Sequence, residues 1–114
     1  MDNTIQHKSF QFAVRITKLC RYLQNEQKEF VLTKQLLRSG TSIGANVSEA
    51  QQAQSRADFV NKLNIALKEA YETNYWLRLL HATDLLSPVE FHSIYSDCQE
   101  IERLLISIVK ASKE

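Results

Sequence analysis

Two glycines and a single proline are all the conformational punctuation this 114-residue chain contains. β-Hairpins and long irregular loops draw on those residues for their turns, so their scarcity points to a mostly helical protein. The apolar spacing agrees. Phe12, Ile16, Leu19 and Leu23, with Ala13 and Cys20 alongside, recur at steps of three and four. That is one face of a helix, expected over about residues 9–24. The polar stretch NEQKE ends the pattern before Phe30.

Thr33 is the expected N-cap of a second helix, residues 33–52, with Leu36, Leu37, Gly40, Ile43, Gly44, Val47 and Ala50 on its apolar face. Ser55 and Asp58 fit a capping box ahead of a third helix, residues 56–82, in which Phe59, Leu63, Ala66, Ala70, Thr73, Leu77 and Leu80 share a face. Ser87-Pro88-Val89-Glu90 is the clearest boundary: serine caps, proline suits the first helical position and glutamate completes the box. The fourth helix, residues 88–111, carries Phe91, Ile94, Tyr95, Cys98, Ile101, Leu104, Leu105 and Ile108. Short links between helices make antiparallel neighbours. The expected fold is therefore all-α, an antiparallel up-down-up-down four-helix bundle forming one domain over residues 1–114.

Gly40 and Gly44 fall on the inward side of the second helix, where each costs about 1 kcal/mol against alanine. Close approach of another helix is the physical reason to expect. On the opposite side Arg38, Ser42, Asn46 and Glu49 form a strip, with Ser39 near its edge. A solvated helix face favours Lys, Glu, Gln and Ala, so small polar side chains at this density suggest close contact. The third helix has its own second patch: Ile65, Tyr75 and Trp76, beside Glu69 and Glu72. Tryptophan and tyrosine are enriched at protein interfaces.

Chemistry is harder to find. No Glu-x-x-His pair exists for a di-iron site, and His7, His81 and His92 are scattered. The stretch GTSIG lacks the Lys-Ser/Thr of a phosphate loop, and no G-x-S-x-G elbow occurs. Neither a metal, a cofactor nor an enzymatic activity is expected. Cys20 and Cys98 lie on apolar stripes and read as buried thiols in a reducing cytoplasm. No secretory signal or membrane span is expected, which also places the chain in the cytoplasm. With 14 basic and 13 acidic residues the net charge is +1, which gives no global case for nucleic acid or membrane. A local basic strip of Arg15, Lys18 and Arg21 beside Tyr22, extended by Lys34 and Arg38, is the candidate nucleic-acid contact.

The run RSGTSIGANVSE, Arg38 to Glu49, resembles the R-S-x-x-S-I-x-x-N-[IV]-x-E signature of the bacterial four-helix-bundle proteins named after intervening sequences in 23S ribosomal RNA genes. The likeness continues through DFVNKLNIALKEAYETNYWLRLL, Asp58 to Leu80, and departs at Ala50, where members often have glycine. The resemblance implies a non-enzymatic bundle that assembles with itself, commonly as a ring of five. A related branch, the accessory variability proteins of diversity-generating retroelements, works with a reverse transcriptase and nucleic acid; those proteins look strongly basic, unlike this chain. Residue by residue the resemblance rests on Arg38, Ser39, Ser42, Ile43, Asn46 and Glu49, with Glu69 and Glu72. In an antiparallel pair Arg38 should come level with Glu69 and Glu72, within one subunit or across an interface.

Overall fold

A computed structural model describes residues 4–113. It contains α1 (Thr4–Glu26), α2 (Val31–Ala50), α3 (Arg56–Ala82) and α4 (Pro88–Lys113), packed into a rod of 44 × 20 × 19 Å. Each helix lies against the next and α1 closes on α4, while the diagonal pairs do not approach among the described residues. This is the up-down-up-down four-helix bundle. Its core runs the length of the rod through Ile16, Leu36, Ile43, Leu63, Leu77, Ile101 and Leu105, all essentially inaccessible to water.

The helix starts show where local chemistry departs from expectation. Thr33 does not cap α2; it is buried one turn inside it. Phe30 occupies the cap position without a side-chain bond, and the Glu29 carboxylate accepts from the Leu32 N–H at 2.5 Å instead. Thr33 Oγ1 donates to the Glu29 carbonyl, 2.9 Å, which ties the turn down from the other side. The Ser55 cap is present, its Oγ accepting from Asp58 N at 3.0 Å, but Asp58 reaches the Gln54 N–H rather than Ser55. At α4 the box is reciprocal: Glu90 N to Ser87 Oγ is 3.2 Å and Ser87 N to Glu90 Oε1 is 3.4 Å.

The first helix begins at Thr4, a turn and more before residue 9, because Ile5 continues the Phe12 stripe into the core. Ser9 is buried inside it, and the glycines explain how. Both face α1. A Cβ on Gly44 would stand 3.2 Å from the Ser9 carbonyl oxygen, and one on Gly40 would stand 2.8 Å from Ile16 Cγ2. Gly44 thus lets the two backbones close together, and Gly40 makes room for a fully buried branched side chain. The cost in helix propensity is offset by contact.

The α3–α4 turn ends α3 with Asp84 at φ 66°, with Leu85 N bonded to the Leu80 carbonyl and Asp84 N to the His81 carbonyl. That is the Schellman pattern, built here without glycine. Cys20 and Cys98 are free and buried; desolvation pushes the Cys20 thiol up to about 12 and raises that of Cys98 further. Both are inert as nucleophiles at neutral pH.

Candidate functional site

The side chains singled out in α2 and α3 meet along the seam between these two helices, the most extensive of the four. A polar pair is buried within it. Ser39 and Thr73 are completely buried, with Thr73 Oγ1 2.9 Å from Ser39 Oγ and 2.8 Å from the Glu69 carbonyl. Ser39 is therefore not at the edge of an exposed strip. It sits between α2 and α3, and Thr73, a polar residue on an otherwise apolar face, satisfies it.

Arg38 covers this pair from outside. Its Nη1 donates to Glu69 Oε2 at 3.0 Å and its Nη2 to Glu72 Oε2, both within one chain. Glu72 also accepts from the Trp76 indole N–H at 3.0 Å. These bonds, the indole first and then Arg38, hold the Glu72 carboxyl below its ordinary range. Arg38 is raised in turn, chiefly by its bond to Glu72. The Tyr75 ring meets Trp76 edge-on at 5.0 Å, and the Arg78 guanidinium stands 5.7 Å from the centre of Tyr75. The result is a chain of fixed side chains on an accessible surface.

Further along α2 the strip behaves differently. Ser42 Oγ donates to the Arg38 carbonyl at 2.6 Å, and Asn46 Nδ2 to the Ser42 carbonyl at 2.9 Å. Both bonds run back along their own helix and leave the rest of each side chain facing outward. Glu49 is exposed and paired with Lys62 of α3 at 3.1 Å, a contact the sequence reading did not anticipate. Ile65 is exposed on the same side, and Trp76 is half-buried.

The basic strip expected on α1 is broken up. Arg15 Nη1 donates to Asp97 at 2.7 Å and Nη2 to Ser93 Oγ at 2.6 Å. Arg38 is taken by its two carboxylates, which leaves Lys18, Arg21 and Lys34 exposed without ion pairs among the described residues. Among the described residues no group of three His, Cys, Asp or Glu side chains is placed to hold a metal, and no helix is long and apolar enough to cross a membrane.

The family model for 23S rRNA-intervening sequence proteins matches residues 1–107. The chain belongs to this family. It is also similar to the crystal structure of a protein of unknown function from the S23 ribosomal protein family of Bacteroides thetaiotaomicron, at 63% identity and a TM-score of 0.93. That match covers 94% of this chain and 99% of the other. No functionally curated protein matches. The two helices that carry the family motif are the two that build the seam described above.

Proposed function

We propose that this protein is a non-enzymatic, self-associating module of the bacterial cytoplasm, and that its α2–α3 face docks on a second copy of the chain. The observation that carries the reading is the Arg38–Glu72–Trp76 network. Long side chains on a surface normally lose freedom when they enter an interface, at about 0.5–1.5 kcal/mol each. Here they are already fixed, so that loss is largely incurred on folding. Beside them lie an exposed Ile65 and the low relief of Ser42, Ala45 and Asn46, over which another helix can lie close. A face of this kind docks on a different face of its neighbour, and such head-to-tail contacts close into rings. The family resemblance makes five subunits the size to test.

The mass in solution decides the matter. Light scattering coupled to size-exclusion chromatography should give a discrete oligomer, pentameric by this reading. Ile65→Arg or Asn46→Arg should release monomers whose circular dichroism melts are unchanged. A wild-type monomer at tens of micromolar, or an oligomer indifferent to both substitutions, would overturn the proposal.

A further inference from the structure

Charge is spread unevenly over the bundle. Lys8, Arg15, Arg38 and Lys62 are all held in ion pairs. The cations on the other side of α3, toward α4, are not. A bond from Asn74 Nδ2 to Glu102 Oε2, 3.1 Å, marks that seam. Helical spacing sets Tyr71 and Arg78 beside it on α3, with Lys68 and Tyr75 farther out toward solvent, and Arg103, Ile106 and Lys110 on α4. At its far end Arg56 and Lys113 line one groove with Asn61 and Asn64.

Among the described residues Arg56, Lys68, Arg103, Lys110 and Lys113 have neither an ion pair nor a side-chain hydrogen bond, and Arg78 donates only to Asn74. Glu102 lies among them, with Arg78 and Arg103 as its charged neighbours, and Glu72 stands one turn from Lys68 on α3. The cations run from Arg56 to Arg78 along α3, a track about 33 Å long at the rise of an α-helix.

A second copy of the chain is a poor occupant for this face. The α2–α3 face sets Glu49, Glu69 and Glu72 against Arg38 and Lys62, one carboxylate in excess, and the α1–α4 seam pairs Asp97 and Glu100 with Arg15 and Lys8. Neither matches the run of cations along the track. A membrane surface fits less well than a strand, because the prominent apolar groups are tyrosines in line with the cations rather than long aliphatic anchors. Tyr71 and Tyr75 are 49% and 50% exposed, and Tyr71 has neither a hydrogen bond nor a ring contact.

We infer that the α3–α4 face binds single-stranded nucleic acid, its phosphates on the Arg56–Lys68–Arg103–Lys110 cations and a base stacked on Tyr71. Unpaired strands offer phosphates and π-faces in one ligand, which is the combination this surface presents. None of the residues named for binding is one whose substitution tests self-association.

Fluorescence anisotropy of the full chain with a labelled oligouridine of about 20 nucleotides tests it. Binding should fall with salt at a log–log slope of about −3, as roughly four to five released counterions require. The triple variant Lys68→Glu, Arg103→Glu, Lys110→Glu should bind at least about tenfold more weakly. Tyr71→Ala should lose about tenfold. None of these side chains has a hydrogen bond or ion pair to break, so Tyr71→Ala should leave the thermal melt unchanged, while the reversals beside Glu102 and in the last turn of α4 should lower it only slightly with the helical signal intact. No binding at about 50 mM salt, or a triple variant that binds like wild type, would overturn the inference. So would loss of binding on Lys18→Glu, Arg21→Glu instead. Equal affinity for polyglutamate or phosphatidylserine vesicles, with Tyr71→Ala silent, would replace the strand with a different polyanion.

Discussion

The α2–α3 and α1–α4 seams are made from the same materials, arginine against carboxylate with hydroxyls nearby, yet they are built to different depths. At α2–α3 one guanidinium holds two carboxylates, a tryptophan fixes one of those, and a hydroxyl pair lies sealed underneath. At α1–α4, the loosest seam, Arg15–Asp97 and Lys8–Glu100 bridge the rim of a groove of about 440 Å³, with 39–48% of each side chain exposed. Among the described residues no buried hydroxyl pair lies beneath them. An ion pair seen in coordinates therefore says little by itself. What it covers, and whether its partners are held by something else, decides its contribution.

The largest effect should come from the helix that the tight seams share. Gly40→Leu forces a side chain into the space held by Ile16, and urea unfolding should show a loss of about 3 kcal/mol or more. Unchanged stability would mean that close packing is not why glycine stands there.

The clamp itself gives a smaller, pH-dependent effect. Glu72→Gln should cost about 1 kcal/mol at neutral pH. The folded-state pKa of Glu72 is depressed, so its stabilisation is present above the ordinary glutamate value of about 4.3 and is lost as pH falls through the lower folded value. Wild-type and variant stabilities should thus converge in acid. Glu102 has the opposite sign: burial raises its pKa against the bond from Asn74 and the nearby arginines. Its contribution is complete below the ordinary value and is lost as pH rises through the raised one, so Glu102→Gln should be as stable as wild type at neutral pH or more so. Parallel pH profiles for the two variants would remove the distinction.

Smallest is Arg15→Ala on the open seam, at less than about 0.5 kcal/mol by the same unfolding measurement. A loss equal to that of Glu72→Gln would erase the contrast between the seams.

Four helices, their order and the seam between the motif-bearing pair were legible because each depends on periodicity and on local caps. The Arg38–Glu69–Glu72 contact was legible too, since antiparallel register is simple arithmetic once the connection is short. What could not be read were events that depend on a third partner. Thr33 looked like a cap until Glu29 was seen to supply the bond. Ser39 looked exposed because nothing in a helical wheel says that Thr73 waits across the seam. Arg15 looked like a phosphate ligand until Asp97 and Ser93 took both ends of its guanidinium. The free cations of α3 and α4 were spaced plainly enough in the sequence, but only the ion-pair census separates them from those already engaged.

The Ser39–Thr73 pair bears on how such a chain can change over generations. Each hydroxyl also bonds a carbonyl of its own helix, Ser39 to Leu36 and Thr73 to Glu69, so an apolar mutation at either position alone forfeits the shared bond, at about 0.5–1.5 kcal/mol, without stranding the survivor. Two apolar replacements made together can be nearly neutral. The two sites, 34 residues apart, can therefore be left one step at a time, because the hydroxyl that remains keeps its own carbonyl.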